Sequence, residues 1–161
     1  MFDHLAEGLT VDGEKTAVYI FHEFPGEPKF ECKPAIEANT AFSAATLKLA
    51  NLRAKRSRKR AITAKDIAQT RQDSAKVIIA HCLVGWKDLK DEKGNDVPYS
   101  KERAVEFFNL ITNPKKVPPR IFQEFLDWIG DEENFIDEDD SIITVADLNE
   151  IEDEDENLGK S

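Results

Sequence analysis

The sequence predicts a mainly α, α+β domain: about four helices with an N-terminal β-hairpin and a small second hairpin or ordered loop, followed by an acidic, largely disordered C-terminal tail. Three observations lead there: an early β-branched and aromatic run, apolar residues at helical spacing through the middle, and an acidic excess confined to the end. The chain has 161 residues and a formal net charge of −10. From Asp131 to Ser161 fourteen acids face one base, Lys160, so that segment carries −13 and residues 1–130 carry +3. The expected division is a folded body over 1–130 and a tail over 131–161 that is too charged to pack. One domain of ordinary size fits the length.

Thr16 to His22 is rich in strand formers, Phe24 to Pro28 supplies turn chemistry, and Lys29 to Lys33 alternates polar with apolar. This reads as a hairpin with Phe30 and Cys32 on the face laid against the helices, ended by Pro34. From Ala35 the pattern turns helical, with a seam of Ala38, Phe42, Ala45, Leu49 and Leu52. Six of the eight residues from Arg53 to Arg60 are basic. Thr63 with Asp66 resembles a capping box, so a second helix is expected from Ala64, with a stripe of Ile67, Arg71, Ala75, Ile78 and Cys82, ending near Gly85. Trp86 to Leu89 and Val97 to Tyr99 flank a Lys93-Gly94-Asn95 turn, the predicted second hairpin. Ser100 is placed to cap a helix holding Val105, Phe107, Phe108 and Ile111, stopped by Asn113-Pro114. Pro118-Pro119 opens a last helix with Ile121, Phe122, Phe125, Leu126 and Ile129 on its apolar face, and Gly130 closes it.

Catalytic patterns are missing: no Gly-rich phosphate loop, no G-x-S-x-G, no H-E-x-x-H. Acids in a solvated run lack the desolvation that tunes a general acid. The expectation is therefore no enzyme, no catalytic residue, no cofactor and no bound metal. Asp137, Asp139 and Ser141 start like a calcium loop, but Ile142 and Leu148 occupy the positions that need glycine and glutamate. Cys32 and Cys82 read as buried thiols, and His81 beside Cys82 points too far away on a helix to chelate with it. The longest apolar stretch, Val77 to Ala80, is too short to span a bilayer, and acids mixed into Phe2 to Glu14 argue against a secretion leader. The expected partners exclude membrane, and the expected compartment is the cytoplasm.

The basic run Arg53, Lys55, Arg56, Arg58, Lys59 and Arg60 has three readings: a solvated helix end, a docking site for an acidic partner or for the chain's own tail, or phosphate contact. Nucleic acid is the least favoured, because the run holds no aromatic for stacking and the same chain carries a competing acidic segment. Within that segment, Ser141 to Leu148 forms an apolar and β-branched island, read either as a strand or turn folded back on the body or as a segment that folds on a partner.

The block Val84-Gly85-Trp86, Asp91-Glu92-Lys93-Gly94 and Val97-Pro98-Tyr99-Ser100-Lys101-Glu102, followed by an aromatic-rich helix, resembles the tail assembly chaperones of long-tailed, siphovirus-type bacteriophages. In that family-like motif the matching residues are Gly85, Trp86, Asp91, Gly94, Pro98, Tyr99 and Ser100. The resemblance implies a client-binding body that holds the helical tape measure protein, keeps it soluble, recruits tail tube protein in the host cell cytoplasm, and is absent from the finished virion. It also implies the family's frameshifted longer product, with Gly159-Lys160 as a candidate slippery site. Trp86 and Tyr99 are then either loop anchors or partner contacts. Alternatives are a structural tail or neck connector, and a small nucleic-acid-associated regulator using Arg53 to Arg60. Self-association is compatible with each.

Overall fold

The computed structural model describes residues 1–9, 11–57 and 61–136. Two strands, β1 (Ala17–Ile20) and β2 (Lys29–Cys32), form the predicted hairpin, with Ala17 opposite Cys32 and Tyr19 opposite Phe30. Four helices follow: α1 (Thr40–Ser57), α2 (Ala64–His81), α3 (Lys101–Ile111) and α4 (Pro119–Ile129). A third strand, β3 (Leu83–Lys87), lies between α2 and α3 in the chain and pairs antiparallel with β2. The sheet order is β1-β2-β3.

Of the two forms expected after Gly85, a small second hairpin or an ordered loop, residues 88–99 take the loop, while Trp86 and Lys87 belong to this third strand. Trp86 and Lys87 pair with Phe30 and Lys29 of the first hairpin, while Leu89 and Val97 are held by one backbone hydrogen bond and Lys90 and Asp96 by an isolated bridge. The same strand ends α2 four residues earlier than expected. Cys82 leaves helical geometry at φ −121°, and Leu83 takes a place opposite Cys32. Apolar Leu83 and β-branched Val84 gain more from completing the sheet than from one more helical turn.

Helix α1 starts at Thr40, not at Ala35, because Asn39 interrupts. Its Oδ1 accepts from the Phe42 amide at 3.3 Å, the geometry of a helix cap. Ala38 therefore lies outside the helix, and Leu52, expected in the seam, is exposed. Caps on the other helices follow the sequence: Thr63 and Asp66 form a reciprocal capping box, and Ser100 Oγ accepts from the Arg103 amide at 3.1 Å.

The core sits between one face of the sheet and helices α3 and α4, with the C-terminal half of α2 alongside. Phe30 and Cys32 point into it as the alternation requires. Aromatic rings make up its centre: Phe21 meets Phe30 at 5.0 Å and Phe107 at 5.3 Å, both edge-on, the arrangement that ring quadrupoles favour. Packing does not stop at Gly130. A 3-10 turn at Glu132–Phe135 carries Phe135 into the core against the Trp128 ring, 5.2 Å away, and Asn134 Nδ2 donates to the Trp128 carbonyl at 2.9 Å. The first five residues of the acidic segment thus belong to the packed body. From residue 137 onward it lies outside the described residues, and with it the calcium-like positions, the island from Ser141 to Leu148, and Gly159-Lys160.

A candidate protein-binding arm

Between Lys33 and Cys82 the chain leaves the sheet, runs out along α1, and returns along α2. The Lys33 amide donates to the Cys82 carbonyl at 2.8 Å and closes the root of this excursion. Asn39 fixes the root from inside: buried, its Nδ2 donates to the Pro34 carbonyl at 3.0 Å and to the His81 carbonyl at 3.1 Å. Gly13 presses on the same place. A Cβ there would lie 2.1 Å from the Ala38 carbonyl oxygen, so only glycine admits the approach. No sequence signal beyond the bare Asn and Gly marks either residue.

Beyond the root the arm is solvated. Among the described residues from Thr40 to Ser74 none is buried, and the main neighbour of α1 is α2 itself. Arg53 joins the two helices: its Nη2 donates to the Thr70 carbonyl at 3.2 Å and stands 4.0 Å from the Asp73 carboxylate. Along the arm lie large apolar side chains that the body does not cover: Leu47 (64% exposed), Leu52 (41%), Ile62 (77%) and Ile67 (50%). Isolated exposed aliphatics need no explanation, but four on one hairpin of helices do. Ile62 and Ile67, with Arg53, Arg56, Asp66 and Arg71, line a groove toward the arm's tip. A second cavity at the base is lined by Phe42, Leu49 and Val77 of the arm and by Leu126, Ile129 and Gly130 at the end of α4, and Arg53 borders both.

Charge is divided along the same line. Residues 40–81 hold ten Lys and Arg against Asp66 and Asp73, a net of +8, so the rest of 1–130 carries −5. The body's mild average hides a cationic arm on an anionic base. Of the basic run, Arg53, Lys55 and Arg56 lie on the last turns of α1, while Arg58, Lys59 and Arg60 are outside the described residues.

The remaining candidate residues lie elsewhere and work as a brace. Trp86 is buried against Phe30 and donates from Nε1 to the Val97 carbonyl at 2.7 Å, and Tyr99 meets its ring edge-on at 4.9 Å. Asp91 Oδ1 accepts from the Lys93 and Asn95 amides, each at 2.9 Å, and Gly94 takes φ +81° to close the turn. Gly85 sits where the β2–β3 register shifts, and Pro98 precedes the Tyr99-Ser100 entry to α3. The G-W…P-Y-S block therefore clasps β3 to α3. The described bases of the run, Arg53, Lys55 and Arg56, stand apart from it on α1.

Both cysteines are free and buried. Burial pushes the Cys82 thiol up to about 12, a rise that the nearby Lys33 charge partly opposes, and burial raises Cys32 likewise. Neither is a nucleophile at neutral pH. Among the described residues no group of His, Cys, Asp and Glu is arranged to hold a metal, and no helix is long and apolar enough to cross a membrane.

Compared with known proteins, residues 37–140 match a family model described as YdaY prophage protein, more than half of the chain. That span contains the whole arm, the clasp, α3 and α4. No curated protein and no solved structure matches.

Proposed function

The chain belongs to the YdaY prophage protein family, and from that premise we propose that it is a non-enzymatic assembly chaperone of the phage tail. The client is a helical segment of the tape measure protein, held on the arm and kept soluble until tail tube subunits assemble around it, after which the chaperone leaves. One observation carries this reading: the arm exposes Leu47, Leu52, Ile62 and Ile67, the last two in a groove with Arg53, Arg56 and Arg71, on a body whose own core is complete without them. Helix-in-groove recognition uses such spaced aliphatic anchors, and the flanking bases select for an acidic client face. The likeness of the Gly85 to Ser100 block to tail assembly chaperones supports the assignment to tails.

Co-expression with the longest helical reading frame of the same prophage tests the proposal. The client is expected to stay soluble and to co-purify, and purified particles are expected to lack this chain by mass spectrometry. Stoichiometric recovery in particles would replace the chaperone with a virion connector. The +8 arm also supports a nucleic-acid-associated regulator. That reading requires a mobility shift which disappears when Lys55 and Arg56 are neutralised.

A further inference from the structure

We propose that the groove at the arm's tip is occupied, in the absence of a client, by the chain's own C-terminal segment, with the apolar island Ile142 to Leu148 seated between Ile62 and Ile67 and the flanking acids on the arm's bases.

Three observations lead to this occupant. The first is charge: the arm carries +8 and residues 131–161 carry −13, while the base of the body is itself anionic and repels that segment. The second is composition. An acidic stretch that served only to solubilise would be polar throughout, yet Ile142, Ile143, Val145 and Leu148 interrupt it, the aliphatic anchors that a groove lined by Ile62 and Ile67 takes. The third is the point of departure. Phe135 is pinned to Trp128 at the end of α4, and the neighbouring Ile129 and Gly130 share the basal cavity with Arg53, which also borders the tip groove. From Ile136 to Ile142 the chain spans up to about 20 Å, enough to follow that line up the arm.

Tethering decides between the chain's own segment and that of a second copy. A tether of a few residues gives an effective concentration of about a millimolar, so a contact too weak to form between molecules at micromolar protein is filled within one. The consequence for the client rests on the chaperone reading: the segment is a resident competitor that a longer client displaces. The docking itself does not depend on that reading.

The test uses the full chain without any client. A spin label on Ser141→Cys reports position, because Cys32 and Cys82 are buried and do not take it up. At 50 mM salt the amide signals of Ile67, Thr70 and Arg71 are expected to fall to less than half, that of Val105 on the exposed side of α3 to stay unchanged, and the lost signal to return at 500 mM salt. Ile142→Asp with Ile143→Asp is expected to abolish the effect while leaving the spectrum of the body intact. Uniform broadening, or broadening that survives this double substitution, overturns groove docking in favour of diffuse attraction. Broadening that appears only when isotope-labelled and spin-labelled chains are mixed overturns it in favour of a second copy. A failed client co-purification with these results intact would sink the chaperone and spare the docking.

Discussion

Asn39 donates from one amide nitrogen to the backbone carbonyl of His81, across 42 residues of sequence, and so ties the first turn of α1 to the last turn of α2. The same nitrogen holds Pro34, and the side-chain oxygen caps α1. Asn39→Ala removes the amide donor from the Pro34 and His81 carbonyls, leaving Pro34 only the long contact from the Cys82 thiol, and strips one helix amide of its cap, which costs about 2–4 kcal/mol. Urea denaturation should show that loss with an unchanged slope, and Asn39→Asp, which cannot donate, should lose about as much at neutral pH.

Truncation should separate two boundaries only six residues apart. A chain ending at Ile136 keeps Phe135 in the core and is expected to melt within about 2 °C of the full chain. One ending at Gly130 loses that ring and the Asn134 bond, and Phe135→Ala, costing about 3–5 kcal/mol, should reproduce most of the drop in circular dichroism melts.

Trp86 and Trp128 report on different places. Trp86→Phe keeps a ring but leaves the Val97 carbonyl without its donor and should cost about 1–2 kcal/mol. It should also remove the bluer of the two tryptophan emissions, since Trp128 is only half-buried. Client affinity, measured well below the melting temperature, is expected to stay within about twofold. A tenfold loss would return the clasp to the binding surface.

Stability should fall in alkali. The Cys82 thiol and the Tyr19 hydroxyl both titrate at about 12 in the fold, raised from 9.0 and 10.0 chiefly by burial, with the Glu23 and Glu124 charges adding to the rise at Tyr19. Above about pH 9 the unfolded chain therefore releases protons that the folded chain keeps, and stability declines until pH passes 12. Cys82 contributes up to about 1.4 kcal/mol per pH unit and half-exposed Tyr19 less. Urea midpoints at pH 8 and pH 10.5 check the sign, and Cys82→Ala should lessen the decline.

On the arm, Ile67→Asp should leave the melting temperature within about 2 °C, because the side chain is half in water already. Client binding is expected to weaken at least tenfold. The same change at Ile78, eleven residues along and buried, places an unpaired charge in the core and should abolish folding.

Much of the fold was legible because local chemistry and tertiary demand agreed. The Thr63-Asp66 box, the Ser100 cap, the Pro119 start and the alternation of Phe30 with Cys32 each act through neighbours in sequence. What escaped was set at long range. Leu83 to Lys87 looks like the end of a helix and the start of a hairpin until β2, fifty residues earlier, offers it a free edge. Leu52 fits the α1 seam by spacing, yet there is no body opposite it to complete a core. For the candidate site the basic run and the Trp86 block were both visible, but not that one stands on the arm and the other in the clasp. Nor did helical spacing distinguish apolar residues that a core consumes, such as Ile78, from those left over, such as Ile67.

The hydrogen bond from Lys33 to Cys82 makes the arm an insertion: the polypeptide departs from and rejoins one rung of the sheet. The strands register only the closure of that rung, and a longer loop beyond it adds little entropic cost, about 0.6 kcal/mol per doubling. Whole helical turns of about 5.4 Å can thus be gained or lost past Arg53 without disturbing the aromatic core. The reach of the arm is a dimension that selection can set independently of the fold that carries it.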